Sequence, residues 1–249
     1  MRHKDIRVRT VSDILSALKK QSARGANTWF RGHAVEKWPL VPSLARKKSH
    51  LLAESALIKR FMQNAVPHID RPPTQEWEWM FLMQHHRAPT RLLDWSESPL
   101  ASLYFVVSDP RHSRRDGAVW CLDPTALNSE ARISGFKFES EIPAFGIDDV
   151  LDSYLPSRVD KTTSTMLPVA IMGPRNTPRM AAQLGVFTIN HRDHRPLEGI
   201  GKGDHVWRWI VPAASKSALR NELAFLGFTA LTLFPELDRV ADLAKELLQ

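Results

Sequence analysis

The run Pro89-Thr-Arg-Leu-Leu-Asp-Trp-Ser-Glu-Ser-Pro-Leu-Ala-Ser-Leu-Tyr-Phe-Val-Val constrains the fold more than any other part of the chain. Residues 89–95 predict a buried strand of about three residues. After it, Ser98 supplies a cap and Pro99 fills the first turn of an apolar helix. A strand that runs so directly into a helix sets Asp94, Trp95 and Ser96 at the helix N-terminus, where anions are favoured.

The rest of the chain interleaves short strands and helices. Amphipathic spacing predicts helices over 11–20 (capped by Ser12), 49–66, 72–86 (capped by Thr74), 214–226 (ended by Gly227) and 238–248. Strands are expected at 27–32, 118–122 after the Asp116-Gly117 turn, 169–172, 185–189, 207–212 and 229–234. Residues 38–44 are proline-punctuated and extended. Signals are weak between 123 and 158, with a short helix expected within 142–155. The glycine-rich fingerprints of dinucleotide and phosphate-loop folds are absent. The expected class is therefore α+β: a compact mixed β-sheet with flanking helices, not a doubly wound parallel sheet. With 249 residues the chain fits a single domain over 1–249.

Composition narrows the chemistry. Hydrophobic residues at 43% and charged residues at 24% describe an ordered globular chain. The one cysteine, Cys121, excludes an intramolecular disulfide and a cysteine-built zinc cluster. Adjacent His85 and His86 do not share a helix face, so no metal site is expected. No apolar stretch follows Met1, and no run approaches the ~18 apolar residues that span a bilayer. A soluble, cytoplasmic protein without a membrane partner is the expectation. The net charge of +7 and pI of about 9.7 attract polyanions such as nucleic acid or phosphorylated ligands. The basic residues are scattered, so sequence-specific reading of nucleic acid does not follow.

Four constellations stand out. In Trp29-Phe30-Arg31-Gly32-His33, an arginine closes a buried strand, and arginine is seldom buried unpaired. Its guanidinium fork suits phosphate or carboxylate, and Gly32 would let a ligand approach the backbone. An internal salt bridge from Arg31 to Asp94 is an equally open reading. Gln84-His85-His86-Arg87-Ala88-Pro89-Thr90-Arg91-Leu92-Leu93-Asp94-Trp95-Ser96 is dense in donors and acceptors. Capping and turn formation are the structural alternatives for Asp94 and Ser96. In Arg179-Met-Ala-Ala-Gln183-Leu-Gly185-Val-Phe187, a glutamine precedes a strand that could face a pocket. Leu233-Phe-Pro-Glu-Leu-Asp238 reads as a strand end and helix start.

Taken in order, Phe30-Arg31-Gly32, Leu40-Val-Pro-Ser-Leu44, Met83-Gln-His-His86, Pro89–Ser96, Ser98–Phe105 and Asp116-Gly-Ala-Val119 resemble the FRG domain, named for its aromatic-Arg-Gly motif. The resemblance is strong over about residues 25–125, with weaker C-terminal motifs at 179–189 and 229–239. Position 87, usually glycine in that pattern, is arginine here. Position 236 carries glutamate and position 239 arginine where aspartate and glycine are more usual.

More distantly, Phe30-Arg31-Gly32 is similar to the Tyr-Arg-Gly strand of Arg-Ser-Glu ADP-ribosyltransferases. Leu92–Ser96 followed by Ser98–Phe105 is similar to their serine-bearing strand and short helix. NAD-degrading toxin domains share that order. This resemblance implies an ADP-ribosyltransferase-like fold with NAD as substrate and a protein or nucleic acid as acceptor. Arg31, Ser96 and Gln183 would stand at the catalytic positions. Gly32, His33, His85, Arg91, Asp94, Trp95 and Tyr104 would surround the nucleotide. Asp94 and Ser96 would fix ribose, and Trp95 or Tyr104 would stack on nicotinamide. Gln183 falls where those enzymes carry glutamate and cannot bear its charge.

Three functions compete at this level. One is an NAD-cleaving enzyme, acting as a toxin or anti-phage effector. The second is a non-catalytic interaction or sensor domain of a bacterial defence system. The third is a nucleic-acid-binding protein or nuclease. Whether Arg31, Ser96 and Gln183 converge on one cleft separates the first from the others.

Overall fold

The computed structural model describes residues 5–22, 27–133, 141–159, 161–192 and 195–245. Seven strands form one sheet: β1 (Ile6–Arg7), β2 (Trp29–His33), β3 (Leu92–Ser96), β4 (Gly117–Leu122), β5 (Val169–Ile171), β6 (Gly185–Ile189) and β7 (Val206–Val211). Their spatial order is β1-β7-β4-β2-β3-β6-β5. β1 runs parallel to β7 and every other pair is antiparallel, so the sheet is mixed, as expected. Among the described residues, eleven α-helices accompany it: α1 (Val11–Ser22), α2 (Lys48–Leu52), α3 (Glu54–Ala65), α4 (Glu76–His85), α5 (Pro99–Val107), α6 (Pro124–Glu130), α7 (Pro156–Val159), α8 (Pro178–Ala182), α9 (Lys216–Phe225), α10 (Ala230–Leu233) and α11 (Leu237–Lys245). The architecture is α+β with helices flanking a mixed sheet.

The pleat divides the core. On one face, Phe30, Val119, Cys121, Trp209 and Val211 pack under α1, α5 and α9. Farther along that face, Leu92, Phe187, Ile189, Val169 and Ile171 pack against Phe81 of α4, Phe145 and Tyr154. The other face buries Trp29, Leu93, Trp95, Trp120 and Val186 with Leu40, Leu127 and Leu197. The two clusters on the first face leave an interval between α5 and α4, over the junction of β2 and β3.

Local chemistry explains most element ends. Ser98 Oγ accepts from Ala101 N at 3.2 Å and starts α5, with Pro99 at its first position. α4 starts one residue beyond the expected cap. Gln75 takes that place, and the Glu78 carboxylate accepts from the backbone N–H groups of Thr74 and Gln75, each at 2.8 Å. α9 ends at Gly227, whose φ of +83° is left-handed, with Phe228 N bonded to Leu223 O at 2.8 Å.

Three expectations are corrected. The helix foreseen over 49–66 is two, α2 and α3, parted at Ala53 (φ −90°, ψ 0°). The strand foreseen over 229–234 is helix α10. Thr229 Oγ1 accepts from Thr232 N at 3.3 Å, a helical cap that no strand ladder competes with. Within 142–155 the helix is a 3-10 turn at Asp149–Tyr154. The end of the terminal helix foreseen to 248 lies outside the described residues.

Candidate nucleotide-binding cavity

β2 and β3 pair through Phe30↔Ser96 alone, and past that point the two strands part. Arg31 fills the split. Its Nη1 donates to the Asp94 carbonyl at 2.6 Å, on the edge of β3 that faces β2. Its Nε donates to His33 Nε2 at 3.0 Å. His33 Nδ1 must then carry the ring proton and donates to Trp38 O at 3.1 Å. Burial, with Arg31 and Arg46 adding repulsion, holds His33 down to about 3, so the ring is neutral and can accept from the guanidinium. Burial also lowers Arg31 from its ordinary value, while Asp94 opposes the shift. An arginine so placed stays cationic at neutral pH. Its side chain remains 21% exposed, toward a cavity of about 340 Å³.

α5 forms one bank of this cavity through Ser102 and Phe105, and α4 forms the other through Phe81, Gln84 and His85. Phe30, Leu92, Asp94 and Phe187 lie between them, and Arg46, Arg87, Arg179 and Gln183 complete the rim. Four arginines and one carboxylate, Asp94, line it. Burial and the neighbouring His86 and Arg179 lower His85 below its ordinary value, which keeps it neutral at pH 7. Among the described residues, buried His85 Nδ1 finds no hydrogen-bond partner.

Arg87 sits in the turn that closes α4 with φ +61°, a left-handed conformation that disfavours a side chain. The turn keeps the geometry glycine would adopt, and the arginine adds a cation to the rim. Gly32 also lines the cavity, but its glycine is required elsewhere. A Cβ there would stand 1.9 Å from the Ser102 carbonyl oxygen. Gly32 therefore lets α5 lie against β2.

The three residues at the expected catalytic positions do converge on this cavity, though the Ser96 hydroxyl and one amide N–H of Gln183 are committed to backbone partners. Ser96 Oγ donates to Gln183 O at 2.6 Å and accepts from Ser98 N at 2.9 Å. Gln183 Nε2 donates to Leu233 O at 2.8 Å. Together with Arg179, whose guanidinium lies 4.8 Å from the Phe234 ring centroid and 3.9 Å from Glu236, Gln183 straps the C-terminal segment to the cavity wall. The segments 179–189 and 229–239 thus meet each other.

Other expected ligand residues stand elsewhere. Arg91 is 1% exposed and sealed in the core. It bonds Glu54 at 2.8 Å, Tyr154 O at 2.7 Å and Asn190 O at 3.1 Å. Trp95 contributes to the cavity lining, but its indole packs into the opposite-face cluster, where Nε1 donates to Thr188 Oγ1 at 3.1 Å. Tyr104 joins Phe105 and Phe234 in a ring group beside the α1–α5–α9 cluster. His33 reaches the site only through Arg31. Arg46, Arg87 and Arg179 were not singled out in the sequence as ligand residues, and their scatter over more than 130 positions carries no periodic signal.

Residues 26–115 match the family model described as the FRG domain. The chain carries an FRG domain. No curated protein and no solved structure matches the chain. Within the FRG segment fall Arg31, Arg46, Gln84, His85, Arg87, Asp94 and Ser96, whereas Arg179 and Gln183 come from beyond it. The cavity is thus built by the FRG domain and closed by the later part of the chain. Among the described residues, no group of three or more His, Cys, Asp or Glu could hold a metal ion, and no helix is long and apolar enough to cross a membrane.

Proposed function

We propose that this cavity binds the phosphates of NAD and that the protein cleaves the nicotinamide–ribose bond, passing ADP-ribose to water or to a macromolecular acceptor. The observation that carries the reading is the charge of the lining: Arg31, Arg46, Arg87 and Arg179 against Asp94 alone. Guanidinium forks match phosphate oxygens in pairs, and a partly desolvated site strengthens each contact. A volume of about 340 Å³ lies within the ~300–1,000 Å³ of small-molecule sites. Phe30, Phe81, Phe105 and Phe187 supply apolar surface beside the cations. The choice of NAD among phosphorylated ligands rests on the similarity of Phe30-Arg31-Gly32 and Leu92–Ser96 to the first two motifs of the Arg-Ser-Glu transferases. Positioning and preorganised charge would supply the rate in such a site.

The test uses purified full-length protein. NAD and ADP-ribose should each raise the melting temperature saturably, and NAD should release nicotinamide. Absence of both effects overturns the proposal. The chain's net charge of +7 also draws nucleic acid non-specifically. Such binding weakens steeply with salt, so both measurements belong at about 0.15 M salt.

A further inference from the structure

We propose that Asp94, and not Gln183, is the catalytic carboxylate of this cavity, aimed by Gln84 and Thr90. The inference rests on the reading of the cavity as an NAD-cleaving site and names the group that steadies the charge. Among the described residues Asp94 is the one carboxylate in the lining, and its side chain is 56% exposed.

Its orientation follows from a chain of hydrogen bonds. Thr90 Oγ1 accepts from Leu92 N at 3.1 Å, which leaves the hydroxyl proton to donate to Gln84 Oε1. That bond fixes the Gln84 amide so that its Nε2 faces Asp94, donating to Oδ2 at 2.8 Å. Among the described residues, the second oxygen, Oδ1, receives no hydrogen bond. Arg31 forms a salt bridge with this carboxylate, the pair foreseen from the sequence, but not a direct hydrogen bond to it. Its Nη1 is turned to the Asp94 carbonyl and stands 3.9 Å from Oδ2, beyond hydrogen-bond reach. Gln183 is neutral and donates one amide N–H to Leu233 O, while the Ser96 hydroxyl donates to the Gln183 backbone carbonyl and accepts from Ser98 N.

The chemistry asks for such a group. The bond from ribose C1′ to the nicotinamide nitrogen breaks with both electrons leaving on nicotinamide. Positive charge then develops on C1′ and the ring oxygen, and a fixed anion nearby lowers that barrier. Water or an acceptor hydroxyl forms the new C1′–O bond and releases its proton to solvent. The sum for hydrolysis is NAD⁺ and water giving ADP-ribose, nicotinamide and a proton.

The experiment compares wild type with Asp94→Asn, which keeps an oxygen able to accept from Gln84, and with Gln84→Leu. Nicotinamide release and the dissociation constant for NAD are measured on protein whose melting curve shows it folded. Asp94→Asn is expected to lower kcat at least about 100-fold while NAD affinity stays within roughly threefold. Gln84→Leu is expected to lower kcat about tenfold with KM unchanged, a split that mere loosening of the fold does not produce. Wild-type turnover with Asp94→Asn within roughly threefold of it in kcat overturns this assignment and leaves the NAD reading standing. No nicotinamide from wild type overturns both.

Discussion

Replacing Glu54 by alanine should unfold the protein early and leave the folded fraction competent to bind. Glu54 Oε1 is bonded to Arg91 Nε at 2.8 Å, and Arg91 is 1% exposed. Without Glu54, the guanidinium keeps the Tyr154 and Asn190 carbonyls but loses its anionic partner inside the core. Breaking a buried ion pair from one side costs about 3–5 kcal/mol. At about 2–4 °C per kcal/mol for a chain of this size, the melting temperature should fall by roughly 6–20 °C. Differential scanning fluorimetry reads that fall. A titration with NAD at low temperature, where the variant is folded, should return wild-type affinity. Arg31→Ala should behave in the opposite sense. It removes two hydrogen bonds of about 1 kcal/mol each to Asp94 O and His33, so its melting temperature falls less. Its affinity should drop about 10–100-fold, the worth of one charge-assisted contact. A Glu54→Ala protein that melts within about 2 °C of wild type and no longer binds NAD would refute the division of labour between the two arginines.

Further outcomes follow from the same geometry. Gly32→Ala should cost about 3 kcal/mol, the upper end of overpacking, because the new Cβ meets the Ser102 backbone carbonyl; urea denaturation checks it. Arg87→Gly should raise stability by about 1 kcal/mol by relieving the left-handed φ, and should weaken NAD binding about fivefold. Stability should fall as pH drops below about 6.5. In the folded chain His33 is held down to about 3 and His191 to about 4, so unfolding takes up protons throughout that window. The slope reaches about 1.4 kcal/mol per pH unit for each histidine, and urea midpoints flat between pH 7 and 5 would contradict it.

The strand-to-helix corner was legible because its signals are local. Ser98, Pro99 and an apolar run determine α5 from neighbouring residues, and Gly227 ends α9 by its own backbone freedom. The β1 strand was not legible, since two residues paired to β7 leave no pattern. The α6 helix had a readable start in Asp123-Pro124, with Asp123 Oδ1 accepting from Ala126 N at 3.0 Å, but lay in a stretch of weak periodicity. The apolar run at 229–234 suits strand and helix alike, and only the Thr229 cap decides it.

Site residues divide along the same line. Arg31 and Arg91 belong to equally conspicuous motifs, yet one faces a cavity and the other is sealed. The difference is made by Glu54, 37 positions away from Arg91, and by a split between β2 and β3, neither of which a local reading contains. Which face of the sheet each of Asp94 and Trp95 serves depends on strand register, and register became visible only with pairings such as Asp94↔Phe187.

The most direct test is a structure of the protein with ADP-ribose bound. Its diphosphate should lie within hydrogen-bond distance of Arg31, with Arg46, Arg87 or Arg179 as the second clamp and the ribose that bore nicotinamide beside Asp94. A ligand seated elsewhere on the basic surface, with the space between α4 and α5 unchanged, would contradict the proposed site.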